Sequence, residues 1–348
     1  MPESIYLSAA ILLPYLGALI AALLPENARS LESWISGTIA LLTLAMVWLL
    51  YPGIADGNVA RLEVPWIPEL GLSLILRMDG FASVFAVMVA GIGFLVVLYA
   101  RYYMSQEDPI PRFFAFLMAF MGSMMGLVLS GNLIQLVFFW ELTSLFSFLL
   151  IGYWQHSAAA RDGARMALTV TASGGLSLFA GMLLLGHIVG SYDLDVVLAA
   201  GDIIRAHPLY LPTLVLILLG ALTKSAQFPF QFWLPHAMAA PTPVSAYLHS
   251  ATLVKAGIFL MARLWPVMAG TDAWFWILGT CGMITLLVGA YVAIFQHDLK
   301  GLLAYSTISH LGLITLLLSL NSPLAMVAAI FHTMNHATFK ASLFMAVG

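Results

Sequence analysis

Five charged residues stand where charge is costly. Lys224, Lys255, Lys300 and Lys340 lie in or against apolar runs, and Glu141 lies deep inside another, LIQLVFFWELTSLFSFLLIGYW. The use of lysine carries chemical meaning, because an ammonium in apolar surroundings can release its proton whereas a guanidinium effectively cannot. Histidines accompany these charges. His249 and Lys255 share the run YLHSATLVKAGIFL, six residues apart and about 120° from a common face at 100° per residue. His332, His336 and Lys340 recur at steps of four in FHTMNHATFK and so share one helical stripe, as do Lys300, Thr307 and His310. A row of lysines and histidines with one carboxylate is the equipment of a proton relay. The plainer alternative at any single position is structural, an ion pair such as Glu141 with Lys224 joining two helices. The set as a whole disfavours it, since ionisable groups inside a membrane are functional by default.

Other chemistries fit less well. Two histidines at i, i+4 can bind zinc. Here no carboxylate or thiol lies near His332 and His336 in sequence, Lys340 one turn on would repel a cation, and HExxH is absent. No metal site is expected. Neither GxGxxG nor GxSxG occurs, so no dinucleotide fingerprint, nucleophile elbow or cofactor is expected. His187 and His207, near the ends of runs or loops, read as ordinary structural histidines.

The elements that position these residues are membrane helices. Of 348 residues 62% are hydrophobic and 8% charged, about a third of the charge of a soluble globular protein. A surface so poor in charge excludes soluble, disordered and nucleic-acid-binding classes, and the net charge of −3 implies no polyanion partner. The single cysteine, Cys281, excludes a disulfide framework. Apolar runs near 5–24, 34–52, 79–103, 112–130, 132–152, 166–190, 211–228, 244–266, 273–295, 301–319 and 324–347 predict about 11 crossings of an all-α polytopic protein. The alternating ten-residue segments of a β-barrel are absent. No lysine or arginine precedes the first run, which is read as a retained helix rather than a signal peptide.

All nine arginines fall in loops or at run ends, where snorkelling would keep them wet, and among the acids Glu141 alone is deep in a run. Alternate loops carry Arg29, Arg101, Arg112, Arg161, Arg165 and Lys300 against Arg61, Arg77, Arg205 and Arg263, a bias that predicts an outside N-terminus. The polar connections 53–78 and 191–210 are expected to form short caps at a membrane face. Within ALTKSAQFPFQFWLPHAMAAPTPVSAY, Pro229 and Pro235 must break the helix that carries Lys224. Backbone freed at membrane depth is tolerated only when it is buried in protein or lines a watery cavity. Such breaks mark ion sites in many transporters; the alternative, a plain proline kink without function, weakens beside a buried lysine. Ala346-Val347-Gly348 stops inside an apolar run, which suggests a truncated chain.

Several stretches resemble one family. WELTSLFSFLLIGYW, TKSAQFPFQFWLPHAMAAPTPVSAYLHSATLVKAG, HDLKGLLAYSTISHLG and FHTMNHATFKASLF are similar to the antiporter-like subunits shared by respiratory complex I and Mrp-type Na+/H+ antiporters. RMDGFASVFAVMVAGIGFLVVLYARYYM resembles the N-terminal signature of the larger members, so the likeness runs from about residue 70 to the end. The glycine-rich, acid-free ALTVTASGGLSLFAGMLLLG, and ELTS after Trp140, lean towards the A-type subunit of Mrp antiporters. The resemblance implies two inverted five-helix repeats, each with one broken helix. N-terminal helices would cover 1–110, the first repeat 111–270 with its break near 224–236, and the start of the second 271–348. The second broken helix and its lysine are missing from the sequence.

By the same resemblance Glu141 is the fifth-span carboxylate and Lys224 its partner on the broken seventh helix. His249, Lys255, Lys300, His332, His336 and Lys340 would form a hydrophilic axis along the membrane. The expected function is that of one subunit in a hetero-oligomeric antiporter of a bacterial inner membrane, exchanging Na+ for protons with other Mrp subunits and without covalent catalysis. A proton-pumping subunit of complex I or of a membrane hydrogenase would share nearly every feature. An assembly scaffold without its own path is the third reading, against which Glu141 and Lys224 argue.

Overall fold

In the computed structural model, which describes residues 2–25, 28–67 and 72–348, nine helices among the described residues are long and apolar enough to cross a membrane. The chain runs α1 (Pro2–Leu23), α2 (Arg29–Ala55), β1 (Ala60–Ile67), β2 (Leu72–Met78), α3 (Gly80–Tyr103), α4 (Ile110–Val128), α5 (Leu133–Ile151) and α6 (Ala158–Val189). Two short helices follow, α7 (Leu194–Ala199) and α8 (Gly201–Ala206). Then come α9 (Tyr210–Lys224), α10 (Trp233–His236), α11 (Thr242–Ser250), α12 (Leu253–Met268), α13 (Asp272–Ile294), α14 (Leu299–Ser319) and α15 (Pro323–Val347). Each expected crossing is a helix or a pair of helices. The two outside the nine are α9, of 15 residues, and α15, of 25 residues, which carries the His332–Lys340 stripe.

The core lies around α4 and the α11–α12 pair: 83% of the apolar stretch of Ile110–Val128 and 89% of that of Thr242–Met268 is buried, against 22% for Asp272–Ile294. Several buried hydroxyls are satisfied locally: those of Thr43, Thr171, Thr307 and Thr333 donate to the carbonyl four residues back. Helices α13 and α14 pack closely through glycine. A Cβ on Gly282 would sit 2.6 Å from Leu316 N, and one on Gly312 would overlap the α13 backbone, so small residues set this spacing, as is usual between membrane helices.

Connection 53–78 differs in kind from a simple cap. It folds into an antiparallel strand pair, Ala60 opposite Met78, with an irregularity between Pro65 and Ile67; residues 68–71 lie outside the described residues. A Leu76–Ser130 bridge docks the strand pair on the start of α5, and Gln135 Oε1 accepts from Ile75 N at 2.8 Å. Connection 191–210 forms α7 and α8.

The arginines depart from expectation at two positions. Arg77 and Arg263 are 7% and 6% exposed. Their charge is met by acids rather than by water. Arg263 grips both Asp79 oxygens at 2.5 and 2.9 Å, Arg77 joins Asp79 at 2.6 Å and Asp195 at 2.6 Å, and Arg61 pairs with Asp193 at 2.5 Å. Asp79 also caps α3 through Ala82 N at 2.8 Å.

Glu141, in mid-helix, is half-buried, and an acid at a helix start is more fully enclosed. Because α2 starts at Arg29, ahead of the expected 34, Glu32 lies in its first turn, 0% exposed, with no hydrogen-bond partner for either carboxyl oxygen among the described residues.

Candidate functional site

Helix α9 ends at Lys224, five residues before Pro229, so the break begins ahead of the proline. A residue preceding proline is disfavoured in the helical region, and the chain turns earlier still, at Ala226, where φ is +48°. The freed backbone finds partners: Phe228 N donates to Thr285 Oγ1 at 2.9 Å, and Trp233 Nε1 donates to Thr223 O at 2.9 Å. The α9 C-terminus presents carbonyl oxygens and the negative end of the helix dipole, which favours a cation there. Lys224 is that cation.

Lys224 is fully buried and does not pair with Glu141. Its Nζ donates to Trp140 O and to Ser144 Oγ, each at 2.7 Å, and lies 4.9 Å from the centre of the Trp140 ring. No ion pair joins Glu141 to Lys224 among the described residues, although each feels the other's charge. Glu141 Oε1 has no hydrogen-bond partner there either. The carboxylate lines a groove of about 530 Å³ between α5 and α6, walled by Val137, Phe138, Leu176 and Phe179. Its seat is Gly175, where any Cβ would overlap Glu141 Oε1. Gly175 thus makes room for an acid from α5, while its neighbour Gly174 makes room for Thr223 of α9.

The expected single span 244–266 is two helices. Residues 251–252 leave the helical path, Thr252 with φ −126° and ψ −91°, so the angular offset between His249 and Lys255 reckoned on one helix does not apply. This second break lies against the first, since Ser225 Oγ donates to Val254 O at 2.7 Å. His249 is fully buried, its ring centre 6.2 Å from that of Trp233, and neither ring nitrogen has a partner among the described residues.

Beyond the breaks the α12, α14 and α15 side chains converge. Lys255 Nζ and His336 Nδ1 are 2.8 Å apart, both residues fully buried. A charged Lys255 can only donate, which places the His336 proton on Nε2. His310 Nδ1 and His332 Nε2 are 3.0 Å apart with rings 5.2 Å centre to centre, and the His310 and His336 rings are 5.3 Å apart. One partner of a shared N–H must be neutral at its accepting nitrogen, so this chain of rings cannot be charged throughout. Lys340 Nζ donates to Leu303 O at 3.4 Å and Lys300 Nζ to Ala240 O at 3.1 Å.

Of the expected residues, then, direct contact joins Lys255 with His336 and, through His310, with His332. Glu141, Lys224, His249, Lys300 and Lys340 are near but not hydrogen-bonded to another member. His310 is the addition; its signal in the sequence was the stripe it shares with Lys300 and Thr307. Among the described residues no three His, Cys, Asp or Glu side chains gather as a metal site requires.

A family model described as "NADH:quinone oxidoreductase/Mrp antiporter, TM" matches residues 130–348, more than half of the chain. The chain belongs to this family of membrane subunits. A second model, for the N-terminus of complex I chain 5, matches residues 66–114. Among relatives of the family, a probable K(+)/H(+) antiporter A/B-type subunit of Rhizobium meliloti is 68% identical over 98% of this chain and 34% of its own length. The A-type subunit of the Na(+)/H(+) antiporter of Alkalihalophilus pseudofirmus is 46% identical over 96% of this chain and 44% of its own. A chain of the Mrp complex from Dietzia sp. superposes with a TM-score of 0.89 at 39% identity, over 97% of this chain and 37% of that one. A chain of an archaeal membrane-bound sulfane sulfur reductase superposes with a TM-score of 0.86 at 25% identity, over 98% and 70%. The chain spans less than half the length of these curated relatives.

Proposed function

We propose that this polytopic protein serves in a bacterial plasma membrane as part of one subunit of a multi-subunit monovalent cation/proton antiporter, and carries a proton path along the axis described above. The observation that carries the reading is the buried Lys255–His336 contact continuing into His310 and His332, beside two adjoining helix breaks. Glu141 and Lys224 act as a pair without contact. A carboxylate drawn close to the ammonium favours the charged lysine, and one held away lets the proton leave. Protons then step by way of His249 and Lys300 to Lys255, His336, His310, His332 and Lys340. Lys224, Lys255, Lys300 and Lys340 suit this role as arginine would not, because each can release its proton. The first repeat, 111–270, holds the Glu141–Lys224 pair and its broken helices, and 271–348 begins the second.

The names of the relatives favour exchange with Na+ or K+, and sodium is the cation expected from the resemblance. Other antiporter subunits are the partners. The test is proton flux driven by Na+ and by K+ in everted vesicles, measured with complex recovery for the wild type and Glu141→Gln. Glutamine keeps the volume and removes the charge, so flux should fall on the order of 100-fold with assembly intact. Normal flux in a normally assembled variant would refute the role of Glu141.

The likeness to a chain of a respiratory complex, the sulfane sulfur reductase, favours a second reading as a proton-pumping subunit driven by electron transfer. Flux that requires an electron donor and ignores both cations would establish that reading instead.

A further inference from the structure

At one end of α4, α5 and α6, away from the lysine axis, three arginines share the mouth of a cavity of about 290 Å³. Arg112 comes from the first turn of α4, and Arg161 and Arg165 come from one face of the start of α6. One turn inward the wall changes character, to Phe116 on α4 and Phe148 and Leu149 on α5. Among the described residues most of the guanidinium donors are uncommitted. Arg112 gives Nη2 to Tyr153 O at 2.9 Å and lies 5.0 Å from the Tyr153 ring centre, while its Nε is buried without a partner among the described residues. Arg161 gives one N–H to Gln155 O at 2.7 Å. Arg165 has only a long contact of 3.8 Å with Asp162, in which both side chains are at least 70% exposed, an arrangement of little energetic weight. The nearby Asp108 is engaged by Trp154 Nε1 and Ser105 N, each at 3.0 Å.

We infer that this cavity binds an anionic phospholipid, with its phosphate among Arg112, Arg161 and Arg165 and an acyl chain against Phe116, Phe148 and Leu149. A cluster of positive charge directly over an apolar wall at the end of membrane helices matches a lipid, whose charge and hydrocarbon are joined at the same depth. A soluble anion would use the arginines and leave the wall unfilled. The bound lipid bridges α4, α5 and α6, and so steadies the α5–α6 wedge whose midpoint seats Glu141 on Gly175.

The experiment uses the protein purified with its partner subunits and stripped of lipid in neutral detergent. Phosphatidylglycerol, phosphatidylcholine and inorganic phosphate are each titrated, with retained lipid read by native mass spectrometry and stability read by thermal melting. Phosphatidylglycerol should bind and raise the melting temperature, and the other two should not. In the exposed double variant Arg161→Gln/Arg165→Gln its apparent affinity should fall about 30-fold, the effect of two lost charge contacts. Arg161→Lys/Arg165→Lys should keep most of it. Equal stabilisation by phosphatidylcholine would reduce the site to an apolar crevice, and equal stabilisation by phosphate would reduce it to an adventitious anion site. Undiminished phosphatidylglycerol affinity in the glutamine variant would remove the arginines from it. Any of these three results overturns the inference.

Discussion

Lys224 shows how a buried charge is held without being fixed. Two neutral oxygens at 2.7 Å, Trp140 O and Ser144 Oγ, and the face of the Trp140 ring solvate the ammonium. Had Glu141 closed on it as an ion pair, the proton would be locked in place, and breaking such a pair costs several kcal/mol. Neutral solvation tolerates either protonation state, because a neutral amine can still donate to Trp140 O. Lys224→Arg is therefore a discriminating substitution. Arginine keeps the positive charge and the cation–π contact, so a structural role survives it; guanidinium does not release its proton, so a relay does not. Proton flux in vesicles from the arginine variant should be as low as from Lys224→Ala, with assembly retained. Near-normal flux in the arginine variant would assign Lys224 to structure.

At the scale of elements, the proposed path rests on helices that break within the bundle and on a polar clamp near their ends. The breaks after Lys224 and at residues 251–252 face each other through Ser225 and Val254, and Gly257 lets α12 approach α9 so closely that a Cβ would overlap Ala221 O. The clamp lies at the far end of α12, where Arg263 reaches Asp79 at the start of α3, and Arg77 and Arg61 extend the network to Asp195 and Asp193 at the start of α7. Burial by itself would raise the Asp79 carboxyl, but Arg263, then the Ala82 amide and Arg77, hold it below the usual carboxylate range. Burial opposed by Arg61 leaves Asp193 lowered as well. A carboxyl lowered in the folded state gives stability that is present above its unfolded value, near 3.9, and lost as pH falls towards the folded one. The melting temperature of the wild type should thus decline below about pH 4. Asp79→Asn strands the buried Arg263, while Arg77 keeps Asp195, and should cost about 3–5 kcal/mol at neutral pH while flattening that acid slope. A variant that melts like the wild type across this range would show that the clamp contributes no stability.

Over the whole molecule the proposed axis would run from α5 to α15, between segments 195 residues apart in sequence if counted from Glu141 to His336. Its members act as a path only if they are coupled. Lys255 and His336, in contact at 2.8 Å on α12 and α15, are the place to measure that coupling. Each of Lys255→Gln and His336→Gln should lower cation-driven proton flux on the order of 100-fold. In a shared path the double variant should lose no more than the worse single one, because the second substitution removes a step already blocked. Losses that multiply would mean that the two residues act separately.

Much of this was legible in the residues themselves. Hydropathy located the long helices, because a bilayer demands about twenty apolar residues per crossing and leaves few other solutions. The charges inside those runs singled out Glu141, the four lysines, His249, His332 and His336 as candidates, because each is too costly in hydrocarbon to be incidental. What neighbours each charge was not legible. Lys224 meets Trp140 and Ser144 rather than Glu141, His310 joins the ring cluster, and α11 parts from α12 where no proline or glycine marks the break. Arg77 and Arg263 are buried among acids that lie up to 184 residues away in the chain. Transfer free energy is a property of a segment and can be read along one dimension. Pairing depends on which side chains packing brings within hydrogen-bond reach, and only the tertiary structure decides that.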